Sequence, residues 1–226
     1  MHTRRLLAVA LVALALAGGC SSGSGKKKAS SSSSTSEAPT SSILPAAQPA
    51  QGAAPWPAPP NPMELTRKAG LTPEPAESLQ FHVHAHLDVF LNGSAVEVPA
   101  GIGIDITDPA VHSGPDQNGK MGYGGISPAC AKPCISPLHT HQVDGVLHTE
   151  SPTNTPHTLG QFFTEWNVRL DASCVGGYCK PDTSVLIYVD GTRFTGDPTT
   201  IQLTDRKEIA IVIGTPPATI PKKVPF

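Results

Sequence analysis

Along residues 81–104 the chain reads "FHVHAHLDVFLNGSAVEVPAGIGI", and its first half alternates strictly. In an extended strand Phe81, Val83, Ala85, Leu87, Val89 and Leu91 share one side, and His82, His84, His86 and Asp88 share the other. Asn92-Gly93 predicts a two-residue hairpin, because both residues tolerate positive φ. Folding there sets Val89 opposite Val96, Leu87 opposite Val98 and Asp88 opposite Glu97, so apolar meets apolar and polar meets polar. A second polar row follows in "LHTHQVDGVLHTES", residues 138–151, around Asp144-Gly145. A two-residue turn there pairs His141 with His148 and His139 with Glu150; a four-residue turn pairs His139 with His148 instead. Either register keeps His139, His141, His148 and Glu150 on one face, because the parity is unchanged.

The remaining patterns complete a small core. "PHTLGQFFTEWNVRL" predicts a helix: Thr158 is an N-cap, Gln161 completes a capping box, and Leu159, Phe162, Phe163 and Trp166 form one apolar stripe. "SVLIYVDGTRF" reads as a strand entering a turn at Asp190-Gly191, and Ile209 to Ile213 as a further strand. Asn61-Pro62 opens a short helix over Met63 to Ala69 that Gly70 closes. Asp105 to Pro137 has little periodicity and reads as a long loop able to cover the histidine hairpin. The expected class is α+β: a mainly antiparallel sheet with one short packed helix, β-grasp-like in its order.

The N-terminus changes the setting of this domain. Arg4 and Arg5 precede an apolar run from Leu6 to Ala17, too short for a permanent membrane span, and "LALAGGC" ends on Cys20. The segment resembles a bacterial lipoprotein signal, residues 1–19, with Cys20 lipidated. Residues 20–62, first Ser-rich with Lys26 to Lys28 and then Pro/Ala-rich, read as a disordered tether. Residues 63–226 then form one domain. Its expected address is the extracytoplasmic face of a cell membrane, held there by the lipid on Cys20. Without Arg4 and Arg5 the chain has 14 basic and 18 acidic residues, about −4 net, and no basic stripe points to nucleic acid.

Outside the cytoplasm the four other cysteines read as disulfides, and "CAKPC" (Cys130, Cys134) and "CVGGYC" (Cys174, Cys179) are short enough to close locally. Thiolate metal binding is the rival, since Cys134 lies five residues before His139. Six of the nine histidines fall in the two polar rows. Imidazoles at i and i+2 on a strand, joined by one from a neighbouring strand, can supply three nitrogens to one ion. His82, His84, His86, His139, His141, His148 and Glu150 are therefore the expected metal residues, with Asp88 orienting a ring. His112 and His157 stand apart in loops. Nitrogen-rich ligands and a shortage of methionine favour Cu(II) or Zn(II).

"FHVHAHLDVFLNG", "LHTHQVDGVLHTES" and "TLGQFFTEW" together resemble an uncharacterised group of exported or membrane-anchored, histidine-rich bacterial proteins, over residues 80–215. The resemblance implies no reaction. A cupin pattern is not matched, because Glu150 comes nine residues after His141. Three functions remain open: capture, buffering or delivery of a transition metal; a metal-dependent hydrolase or oxygen-using enzyme with Glu150 as base; and a metal-free surface interaction module. Within residues 63–226 no GxSxG, HExxH or phosphate-binding loop is present.

Overall fold

The computed structural model describes residues 49–226. The expected signal peptide, Cys20 and the first part of the tether lie outside them. Helix α1 spans Pro62–Lys68 and ends at Gly70, whose φ of 76° fits only glycine comfortably. Strand β1 (Phe81–Leu91) turns at Asn92-Gly93, both with positive φ, into β2 (Ser94–Val96) in the expected register, Val89 facing Val96.

A small hairpin follows, β3 (His112–Pro115) and β4 (Met121–Gly124). Next come β5 (Leu138–His139), β6 (Val146–Ser151), β7 (His157–Thr158) and α2 (Leu159–Glu165). The chain ends through β8 (Cys174–Val175), β9 (Tyr178–Cys179), β10 (Val185–Val189), β11 (Thr192–Phe194), β12 (Gln202–Leu203) and β13 (Glu208–Ile213).

The main sheet has the order β11-β10-β13-β1-β6-β5, and β2 shares the β6 edge of β1. Its pairs are antiparallel except the central one, β1 with β13. First and last strands parallel at the centre, with a helix between the two outer pairs, is the β-grasp order. The class is α+β. All six residues of β13 are buried, as suits a central strand covered on both faces.

Helix α2 forms because Thr158 and Gln161 satisfy each other's backbone N–H groups as a capping box. It lays Leu159, Phe162, Phe163 and Trp166 against Ala85, Leu87, Val89, Leu147, Ile209 and Ile211. That core occupies one face of the sheet. The histidine-bearing positions of β1, β5 and β6 point to the other.

Two expectations change. The Pro/Ala stretch from residue 49 is part of the domain rather than tether: Trp56 is 3% exposed, stands edge-on to Trp166, and its carbonyl accepts the Trp166 Nε1–H at 3.1 Å. One aromatic anchor outweighs the extended character of its prolines, since a buried Trp brings a large apolar area. The segment 105–137 is also not bare loop. It carries the β3–β4 hairpin and a second small core of Ile104, Ala110, Val111, Ile135 and the Cys130–Cys134 disulfide. Both cysteine pairs close locally, Cys174 with Cys179 joining β8 to β9.

Candidate metal centre

The histidine face is a grid set by strand register. His84, His148 and His139 lie in one row across β1, β6 and β5; His82 and Glu150 face each other in the next. The pairing of His139 with His148 overturns the two-residue turn at Asp144-Gly145 and agrees with the four-residue alternative. Residues 140–145 form the connection. The cause is local: β4 docks on it, and Tyr123 N–H donates to the His141 carbonyl at 2.9 Å. The His141 backbone is thereby taken from the β6 ladder, while its ring still reaches the same face.

Glu150 is 4% exposed and sits amid the imidazoles. Its Oε1 is 3.1 Å from His82 Nε2, 3.3 Å from His148 Nδ1, 3.9 Å from His139 Nε2 and 4.0 Å from His141 Nε2. His139 and His148 stack at 5.4 Å between ring centres, and His141 meets His148 edge-on at 4.4 Å. His139, His141, His148 and Glu150 each offer one ligand atom within 4.8 Å of the others, a set that could hold a metal ion. His82, His84 and His148 form a second such group.

Hydrogen bonding fixes how two of these rings point. His139 Nδ1–H donates to the Ser136 carbonyl at 2.8 Å, and His141 Nδ1–H donates to the Tyr123 carbonyl at 2.6 Å. Carbonyls only accept, so both Nδ1 atoms carry protons. In neutral rings both Nε2 atoms then hold lone pairs, yet they face each other across 3.1 Å. Such a contact requires a cation between them, either a proton or a metal ion. Backbone carbonyls that pin the far nitrogen are also the usual second layer of a histidine metal site.

Electrostatics shows where a proton goes when no metal competes. Full burial, and then the neighbouring His141, push the His139 pKa down to about 3. Burial also opposes charge on His141, but Glu150 and the Tyr123 carbonyl outweigh it and raise its pKa. Burial lowers His148. Burial would raise Glu150, but His141 and His148, with His139 and His82 nearby, hold it well below the usual carboxylate range. Within this group Glu150 Oε2 is buried without a hydrogen-bond partner, and His148 Nδ1 has only its 3.3 Å contact with Glu150 Oε1. Buried polar atoms are rarely left so, and both atoms are of metal-ligating types.

His86 falls in a third group that could hold an ion, with Asp88 and Glu208. It belongs to the same face of β1, but the structure does not bring it to the Glu150 cluster. Its Nδ1 is 3.0 Å from Glu208 Oε2 and its Nε2–H donates to the Asp144 carbonyl at 2.9 Å. Burial disfavours the imidazolium, but Glu208 outweighs it and raises the pKa. Asp88, expected to orient a ligand ring, lies 3.7 Å from this His86 instead. Both ring nitrogens are thus engaged, and the His86, Asp88, Glu208 group reads as a buried ion pair. His112 and His157 lie outside all three groups.

The centre opens into a cavity of about 910 Å³, reached by His84, His141 and His148 and walled by Tyr123, Glu77 and Phe226. Glu77 went unnoticed in the sequence. Its Oε1 accepts the Gly125 N–H at 3.0 Å and lies 4.0 Å from His141 Nε2. It sits in "PEPAESLQ", which has no periodicity or motif to mark it. Among the described residues no helix is long and apolar enough to cross a membrane. No protein-family model, curated protein or solved structure matches this chain.

Proposed function

We propose that this protein is a lipid-anchored, extracytoplasmic metal-binding protein that captures, buffers or delivers a divalent transition metal, Cu(II) or Zn(II). The observation that carries the reading is the pair of Nε2 lone pairs of His139 and His141, 3.1 Å apart with both Nδ1 atoms committed to backbone carbonyls. His148 and Glu150 complete a set of three nitrogens and one carboxylate oxygen. Imidazole ligands suit copper and zinc, and a carboxylate adds the charge that favours a divalent ion. The lipoprotein-like N-terminus and the resemblance to exported histidine-rich proteins support the address. Neither supports a nucleic-acid role.

One observation favours a second reading, a metal-dependent hydrolase or oxygen-using enzyme: the ligand rings of His141 and His148 face a cavity large enough for a small substrate. In that reading the ion activates a bound water. A substrate-dependent turnover lost in Glu150→Gln would favour it.

The test is elemental analysis of the full chain, as purified, after chelator, and after reloading with copper or zinc. The His139→Ala, His141→Ala double variant runs beside it. Bound metal in the native chain and its loss in the variant support metal binding. A chain that takes up no ion even on loading overturns both readings and leaves the metal-free interaction module.

A further inference from the structure

The first centre does not use every imidazole on the face. His82 and His84 remain: His82 reaches the same carboxylate, and His84 lies against His82 and His148. The Nε2 atoms of His82 and His84 are 2.8 Å apart, and His82 Nε2 is 3.1 Å from Glu150 Oε1. The His84 ring meets the His148 ring edge-on at 4.4 Å between centres.

We infer that the centre is dinuclear: a second metal position lies beside the first, held by His82 and His84, with Glu150 shared between the two and the one lone pair of a neutral His148 serving one of them. The inference rests on the metal-binding reading above.

The strand register explains why the two positions must be neighbours. His84 stands directly across from His148, and His82 directly across from Glu150. Side chains facing each other across an antiparallel pair are about 5 Å apart at Cβ. Two ligands of β1 therefore oppose two ligands of β6 as a square, and His139 extends one row onto β5. His141 closes the far side from the connection.

Hydrogen bonding alone does not account for the arrangement. A neutral His82 can donate one Nε2–H to His84 or to Glu150, which covers that corner. It leaves Glu150 Oε2 buried without a partner and His148 Nδ1 with only its 3.3 Å contact to Glu150 Oε1. Nor does it explain four histidine nitrogens within 3.1 to 4.0 Å of a single carboxylate oxygen. A carboxylate has two oxygens and can offer one to each of two ions. Further negative charge is close by. Glu77 lies 4.0 Å from His141, and Asp205 Oδ1 accepts the His84 backbone N–H at 3.4 Å. His84, His141 and His148 all reach the same cavity, so one entrance serves both positions.

Counting ions on the full chain tests this, with Cys20→Ser throughout so that a free thiol is not counted. The chelated protein is titrated with Cu(II), free ion is removed, and bound copper is measured together with its electron paramagnetic resonance. The expected result is two equivalents per chain. The first gives a mononuclear spectrum, and the second converts it to a spin-coupled pair with less than two spins of intensity. The His82→Ala, His84→Ala double variant should keep one equivalent and an uncoupled spectrum, as should the milder His84→Gln. His86→Ala should still bind two coupled ions.

Saturation at one equivalent, indifferent to His82 and His84 but lost with His139 and His141, overturns the inference and leaves the metal-binding reading standing. A second equivalent that is uncoupled, or that survives loss of His82 and His84, also overturns it. No binding at all overturns both.

Discussion

Two buried glutamates, Glu150 on the histidine face of the main sheet and Glu165 on the helix side, are held in opposite states. On the histidine face Glu150 is surrounded by imidazoles and stays ionised. On the helix side Glu165 is fully buried, and burial pushes its pKa up to about 8 despite hydrogen bonds from Ser136 and Thr66. Thr66 Oγ1 is 2.8 Å from Glu165 Oε1 and 3.0 Å from the Pro62 carbonyl. A threonine has one hydroxyl proton for these two acceptors. A protonated Glu165 removes the conflict by donating to Oγ1, which then donates to Pro62. Burial alone therefore does not decide a carboxyl's charge. The histidine face supplies a field for an anion, and the helix face supplies two hydroxyls and no charge. A buried charge kept against its desolvation cost is the better pointer to function.

The largest expected effect comes from removing the titration on the helix side. Between the unfolded value near 4.5 and the folded value of about 8, native Glu165 holds a proton that the unfolded chain has lost. A group raised on folding contributes stability that is full below the unfolded value and is lost as pH rises through the folded one. The loss is about 1.4 kcal/mol per pH unit at most. Glu165→Gln cannot titrate at this site, so its urea-unfolding free energy should gain steadily on that of wild type as pH rises from 5 to 8. If the difference between the two proteins does not change across that window, Glu165 is an anion like Glu150 and the contrast between the faces disappears.

A smaller contrast lies within one strand. His84 and His86 are two residues apart with the same orientation. His84 joins the imidazole group, whereas His86 is locked between Glu208 and the Asp144 carbonyl. His86→Ala strands Glu208 and should cost about 3 kcal/mol, because breaking a buried pair leaves one charged partner uncompensated. It should leave bound metal unchanged. Calorimetry and elemental analysis of one preparation read both effects. Metal lost together with stability would return His86 to the ligand set.

This difference marks what the sequence could and could not convey. Alternation in "FHVHAHLD" identified the face of His82, His84 and His86, because side-chain direction is a local property of an extended chain. The Asn92-Gly93 turn, the Thr158–Gln161 cap and the local disulfides were legible for the same reason. Which histidine meets which carboxylate depends on the parallel pairing of β1 with β13, which sets His86 beside Glu208 from 122 residues away. Nothing near either residue encodes that partner. The carbonyls of Ser136 and Tyr123 were equally hidden, since any residue supplies a carbonyl. Trp56 was masked by its Pro/Ala neighbours, whose composition suggests tether until the indole is seen seated on Trp166.

The smallest expected effect tests whether the histidine face depends on backbone as well as on ligands. Gly124, in β4, has φ of 152°, and a Cβ there would land on the His141 ring. The close approach is what lets the Tyr123 carbonyl hold His141 Nδ1 at 2.6 Å. Gly124→Ala should therefore rotate the His141 ring away from His139 without touching the helix-side core. Losing an orienting contact to a metal-bound histidine typically weakens binding by about 10- to 100-fold. Competition against a chromophoric chelator should show a loss of that size, beside a destabilisation of about 1 kcal/mol from alanine at positive φ. Unchanged affinity would mean that His141 is not a ligand, and the ion would have to be held by His139, His148 and Glu150 with an imidazole of β1.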